Sequence, residues 1–200
     1  MTPEPFDFGR EYVLEDDFAR LQPLTVADYD HLLPFALQEP EIWTHTLVAA
    51  DSPEKLKTYI AQALKYRVRE TAYPFIVFDK RQDRYAGSTR FYHIDLKNGT
   101  THLGYTWYGK AHQGTGLNRH CKFLMLDFAF QTMRMERVEF NADVQNERSI
   151  AAMKKIGCTV EGVLRSHKLL PDGRRRDSIV LSILREEWLS GVREQLRLRC

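Results

Sequence analysis

The stretch Tyr105-Thr-Trp-Tyr-Gly-Lys-Ala-His-Gln-Gly-Thr-Gly-Leu-Asn118 constrains this chain most strongly. Its aromatic and β-branched start reads as a strand. Glycines then punctuate a turn, and from Leu117 the apolar positions 117, 121, 124, 125 and 128 recur at the spacing of one helical face. Gly114 and Gly116 stand where that helix begins. A helix start leaves backbone N–H groups unpartnered and carries a partial positive charge, so a glycine-lined entry suits a phosphate or pyrophosphate. The same glycines would also serve a tight left-handed turn with no ligand.

Two hundred residues fit one domain spanning 1–200 with a substantial core. Apolar content of 43% with 28% charged residues is ordinary for a globular protein, and a net charge of +2 argues against a nucleic-acid partner. The nearest basic cluster, Arg174-Arg-Arg176, is flanked by Asp172 and Asp177 and reads as a solvated hairpin end. The competing reading is a patch that holds an acidic acceptor or a cofactor phosphate. No apolar run reaches the ~18–20 residues of a membrane span, and the start Met-Thr-Pro-Glu-Pro is unlike a signal peptide, so a cytoplasmic protein is expected. Cys121, Cys158 and Cys200 form no CxxC pair, which suggests neither a disulfide framework nor a zinc site. His112, His120 and Cys121 are close in sequence without making a complete ligand set, and no metal is expected.

Taken in order, residues 1–19 read as an extended arm or strand lead-in, and Arg20–Leu24 as the first strand. Thr25 opens a helix that runs to about Ala36. Ser52, Pro53 and Glu54 start a second helix, whose buried stripe is Leu56, Tyr59, Ile60, Ala63 and Leu64. Strands follow at 73–78, 85–94 and 101–108, with Asn98-Gly99 marking a hairpin. After a helix over 116–133, Val138, Phe140 and Ala142 alternate with Glu139, Asn141 and Asp143 as a half-polar strand should. A helix at 147–156 precedes strands at 159–169 and 174–184, joined by Pro171-Asp-Gly173. A last helix begins near Glu186. Such a mixture predicts an α/β (α+β) sandwich with a mixed sheet.

The order Gln113-Gly-Thr-Gly-Leu-Asn118 resembles the acyl-CoA pyrophosphate loop of the GNAT superfamily of N-acetyltransferases, Gln/Arg-x-x-Gly-x-Gly/Ala, with Asn118 in place of the last small residue. Asn146-Glu-Arg-Ser149, Lys155-Ile-Gly-Cys158, Glu161-Gly-Val-Leu-Arg165, Arg175-Arg-Asp177 and Arg185-Glu-Glu-Trp188 are similar to the run that marks the RimJ/RimL-like branch, named for ribosomal-protein N-terminal acetyltransferases. The resemblance implies a mostly antiparallel sheet of six to seven strands flanked by helices, with a strand–CoA loop–helix unit at its centre. It implies acetyl-CoA as co-substrate and a primary amine as acceptor, either a protein N-terminus or a small molecule. A homodimer, with residues 186–200 and the flanking strands as interface, is also common in the family.

The resemblance also assigns roles. Two central strands would splay apart. Backbone groups at Trp107 and Tyr108 would pair with pantetheine, and the N–H groups of Gly114, Thr115, Gly116, Leu117 and Asn118, after Gln113, would bind pyrophosphate. Asn146 would touch the pantetheine arm. Ser149 would lie near the sulfur as an acid for the leaving thiolate, or would simply cap the helix over 147–156. Three positions depart from the family pattern. Met153 stands where many relatives have an acidic tyrosine. His102 stands where a glutamate base is common, and an imidazole could take the ammonium proton there. His120 and Lys122 replace a Glu-x-Lys pattern, which bears on the polarity of the pocket. The first two departures motivate an alternative, a catalytically inactive acyl-CoA-binding sensor of the same fold. In a further alternative residues 113–118 are a structural turn in a small-molecule or phosphate-binding domain that does not bind CoA.

Overall fold

The computed structural model describes residues 4–170 and 173–200. Residues 1–3 of the expected arm, and Pro171 and Asp172 of the expected last turn, lie outside the described residues. Among the described residues eight strands form one sheet: β1 (Leu14–Glu15), β2 (Ala19–Pro23), β3 (Ala72–Asp79), β4 (Arg84–Asp95), β5 (Thr100–Tyr108), β6 (Arg137–Asp143), β7 (Thr159–Leu169) and β8 (Arg175–Leu184). Their order is β1-β2-β3-β4-β5-β6-β8-β7. The expected six to seven strands become eight because the two-residue β1 pairs Leu14 with Leu21. A strand so short carries no periodicity to read.

Helices α1 (Tyr29–Gln38) and α2 (Pro53–Val68) cover one face of the sheet, with Leu32, Ala36, Leu56, Tyr59 and Ile60 packed on Leu24, Ile76 and Trp107. Ser52 caps α2 by accepting from the Lys55 N–H at 3.2 Å. The other face holds the larger core, where α3 (Leu117–Asp127) places Leu117, Cys121, Met125 and Leu126 against Leu103, Val138 and Phe140. Each such side chain contributes about 1.5–3 kcal/mol by leaving water. α4 (Glu147–Lys155) links β6 to β7. The expected last helix is broken: α5 (Arg185–Glu187) and α6 (Arg193–Arg197) flank a wide turn in which Gly191 has φ 169°.

Every neighbouring strand pair is antiparallel except β5 with β6. That parallel pair joins only Thr100–Arg137, Thr101–Val138 and His102–Glu139. Beyond it, β5 runs on to Tyr108 and β6 to Asp143 without touching in register, so the sheet forks. The cause lies on the other side of β5. Between Ser88–Trp107 and Arg90–Gly104 the register slips, leaving Tyr105 and Thr106 opposite Thr89 alone. Tyr105 takes φ +50° at this bulge, and a bulge bends its strand. Gly87 permits the close approach that follows, since a Cβ there would sit 2.1 Å from the Trp107 carbonyl oxygen.

Candidate active site

The mouth of the fork gathers three segments: the turn after β5, the first turn of α4, and the residues that follow α1. Together they enclose a cleft of about 400 Å³ lined by Ile42, His45, Lys110, Gln113, Asn146 and Arg148 among others. Trp43 closes the helix side, its ring 4.7 Å from that of Trp107. Glu39 holds the same segment by accepting from the Lys110 N–H at 2.7 Å.

The turn after β5 is built as a donor array. Gly114 and Gly116 have φ +76° and +95°. A Cβ on Gly114 would meet nothing within 4 Å and one on Gly116 only Arg119 Nη2 at 3.4 Å, so conformation, not crowding, requires glycine. Among the described residues no acceptor takes the N–H of Gly114, Thr115, Gly116 or Asn118, while Leu117 N–H reaches Thr115 Oγ1 only at 3.4 Å. Unused donors at the start of α3 fit a pyrophosphate.

The β3–β4 turn fastens this loop. Asp79 and His112, both buried, meet at 2.9 Å through Oδ2 and Nδ1. Arg81 donates to the Thr115 carbonyl at 2.7 Å, and Gln82 to that of Ala111 at 3.2 Å. Gln113 turns inward, donating from Nε2 to the Tyr108 carbonyl at 2.8 Å and accepting from Arg148 of α4. The Tyr108 carbonyl is thus already engaged within the protein. Trp107 turns its indole to the α2 side, where Nε1–H donates to the Tyr59 hydroxyl at 3.3 Å.

Asn146 caps α4: its Oδ1 accepts from the Ser149 N–H at 3.0 Å. The helix-capping role weighed for the Ser149 hydroxyl therefore belongs to Asn146. Ser149 sits half-buried in the first turn of α4.

His102 lies at the closed end of the fork, on the last paired rung. Its Nδ1 is 3.3 Å from Glu139 Oε1 and 3.2 Å from Asn141 Nδ2. Burial lowers its pKa below the ordinary 6.5, against the pull of Glu139. Burial alone would raise Glu139, but hydrogen bonds from Arg137 and Asn141 hold its carboxyl below the usual range. The imidazole is therefore neutral near pH 7 and able to take a proton. No hydrogen bond joins His102 to Ser149, and the two stand at opposite ends of β6.

Other expectations need correction. His120 does not face the fork: its Nδ1 is 2.7 Å from Asp16 Oδ2 and its ring stacks on Phe18 at 4.3 Å. Lys122 does reach the fork from α3, donating to Thr106 Oγ1 at 2.9 Å. Burial pushes the Cys121 thiol up to about 12, so this cysteine is inert core. The basic cluster is no solvated hairpin end, because Arg176 is buried and Arg174 Nη2 donates to the buried Asp143 at 2.6 Å.

Several residues of the site carry no local sequence signal. Glu139 and Asn141 read as the polar face of a strand, Arg90 and Tyr92 share β4, and Arg176 of β8 stands out in the sequence only as part of the basic cluster. Only the charged inner face of a strand in mid-sheet could have hinted at them. Among the described residues, no group of three or more His, Cys, Asp and Glu side chains could hold a metal ion. None of their helices is long and apolar enough to cross a membrane.

Comparison with known proteins agrees with this geometry. The profile of the Acetyltransferase (GNAT) domain matches residues 19–159. The uncharacterized N-acetyltransferase p20 of Bacillus licheniformis is 28% identical over 114 residues, covering 57% of this chain and 63% of p20. The probable N-acetyltransferase YjcK of Bacillus subtilis (strain 168) is 25% identical over 170 residues, covering 82% of this chain and 92% of YjcK. A crystal structure from T. thermophilus, assigned as an acetyltransferase, superposes with a TM-score of 0.83 at 32% identity, covering 94% of this chain and 96% of that one. With the family profile matched across most of the chain, and a forked sheet closed by a donor-lined turn, the protein belongs to the GNAT family of acetyltransferases.

Proposed function

We propose that the chain acts as one domain over residues 1–200 and catalyses direct transfer of acetyl from acetyl-CoA to a primary amine, without a covalent enzyme intermediate. The observation that carries this reading is the fork itself: β5–β6 pairing stops at His102–Glu139, and a loop of unused N–H donors lies at its mouth. Acetyl-CoA supplies an acyl group activated as a thioester. Gly114 to Asn118 hold its pyrophosphate, and the unpaired edge of β5 near Trp107 and Tyr108 orients pantetheine, together with Asn146. His102, neutral and oriented by Glu139 and Asn141, takes the proton that the acceptor ammonium must lose. Ser149 delivers a proton toward the thiolate side in place of the tyrosine that Met153 replaces. These groups work by placement and preorganised polarity.

The motifs from Asn146 to Trp188 support membership of the RimJ/RimL-like branch, with a protein α-amine or a small-molecule amine as acceptor. We place the enzyme in the cytoplasm, as a homodimer. Edge strand β7, which exposes Val160, Val163, Leu164 and Leu169, is suited to the interface alongside residues 186–200.

Isothermal titration with acetyl-CoA tests the reading. One-site binding is expected for the wild type, and binding weaker by at least about tenfold for Gly116→Val, whose β-branched side chain would resist φ +95°. Circular dichroism checks that the variant folds. A folded wild type that fails to bind acetyl-CoA sinks the proposal. Binding without thiol release on any amine would leave only the non-catalytic form of the fold.

A further inference from the structure

The helix side of the fork holds two arginines that make no ion pair with a carboxylate among the described residues. Arg90 of β4 is 4% exposed, and its Nε is buried without a hydrogen-bond partner. Its guanidinium lies flat on the Tyr105 ring at 3.6 Å, with the Tyr59 ring 4.9 Å away. Arg176 of β8 is likewise 4% exposed, and its Nε donates to Ser178 Oγ at 3.0 Å. Among the described residues, neither guanidinium has a carboxylate within ion-pairing distance. The nearby carboxylates are committed elsewhere: Asp143 to Arg174 and the Gln145 N–H, Glu139 to Arg137 and Asn141.

A buried cation without an ion-pair partner is costly, and a protein that keeps two of them on one side of its sheet is short of an anion. Arginine stacked on an aromatic face keeps its N–H edge free for a planar or tetrahedral oxyanion. Arg90 stacks on the Tyr105 ring, and the Arg176 charge acts on the hydroxyl of the same residue. Burial lowers the Arg176 pKa, with Asp143 only partly offsetting it.

The Tyr92 ring lies 5.1 Å from the Tyr105 ring and 4.9 Å from that of His102, so one pair of tyrosines leads from Arg90 to the imidazole. Resting on the proposed function above, we infer that the acceptor is a small amine carrying an anionic group, a carboxylate or a phosphate, bound by Arg90 and Arg176 while its amine faces His102. An α-amino acid and an aminoalkyl phosphate both meet this description. A polyamine does not, because the two guanidiniums would repel it.

The experiment follows thiol release from acetyl-CoA with matched acceptors: the common L-amino acids, their C-terminal amides, phosphoethanolamine, spermidine and a short peptide with a free N-terminus. Acetyl-CoA titration of the same preparation keeps donor binding, and with it the reading of the fold, a separate result. At least one anionic acceptor is expected to exceed its neutral counterpart by about tenfold or more in kcat/KM, the size expected of a single charge-assisted hydrogen bond. Carboxylate and phosphate arms tell the two anions apart. Arg90→Gln and, independently, Arg176→Gln should collapse the acid-to-amide ratio toward one, a ratio that general loss of folding does not move. If a protein that binds acetyl-CoA prefers spermidine, amides or the peptide, or releases no thiol with any anionic acceptor, the inference is overturned. A ratio unchanged in both variants overturns it as well.

Discussion

Asp79 Oδ2 lies 2.9 Å from His112 Nδ1, with both side chains buried, so the end of β3 is tied to the loop that begins the donor array. The same carboxylate accepts the Arg81 N–H at 3.1 Å and the Gln82 N–H at 3.3 Å. Both of those residues then reach back to carbonyls of the loop. One carboxylate thus shapes a turn and, through it, the entry to α3.

Replacing Asp79 by Ala should accordingly cost about 3 kcal/mol of stability, because it strands buried donors on His112 and the turn. Asp79→Asn, which keeps an acceptor oxygen, should lose less than half of that. Acetyl-CoA affinity should fall in the same order, Ala before Asn. Urea melts and titration on the three proteins check both rankings. An Ala variant as stable as the wild type would show that the loop holds itself.

The pairing of His102 with Glu139 makes a prediction about pH. Burial places the His102 pKa below 6.5, so the base is free above that point and is lost as pH falls through the lowered value. The acid limb of kcat/KM should therefore lie below pH 6.5. Glu139 raises the His102 pKa, so Glu139→Gln should move the limb further toward acid. His102→Gln should abolish it and lower kcat/KM at pH 7 by about 100-fold. A limb that survives in His102→Gln belongs to another group and removes His102 from the mechanism.

Local geometry made part of this site legible in the sequence. Gly114 and Gly116 stand out because their left-handed φ admits few other residues, and Asn146 because a helix start needs a side-chain acceptor. Alternation along 137–143 gave β6, and the spacing from Leu117 gave α3. Strand register does not show in local pattern, and it is register that assembles the rest. Arg90 and Arg176 are far apart in the chain, and nothing near either one signals that its guanidinium lacks a carboxylate. His120 reads as a pocket residue beside Lys122, but Asp16 of the distant N-terminal segment holds it away from the fork. The bulge at Tyr105 was equally hidden, since a non-glycine residue with positive φ leaves no compositional mark.

Lys122 supplies the last prediction. It is 6% exposed, donates to Thr106 Oγ1 and lies 5.6 Å from the Phe140 ring, between the two strands of the fork. Burial pushes its ammonium down from 10.5 to about 8. Between those values the unfolded chain holds a proton that the folded protein has lost, so this residue makes stability rise with pH across that window. Below pH 8 both states are charged, and the folded state bears the whole cost of burial, on the order of 3 kcal/mol. Lys122→Met fills similar space without charge. It should melt higher than the wild type at pH 7, and the gap should close as pH approaches 10.5. Equal stabilities at pH 7, or a gap that does not change with pH, would mean that the ammonium finds enough solvation in the fork to keep its ordinary pKa. A variant that is more stable yet slower to release thiol would show that the costly charge is kept for the reaction.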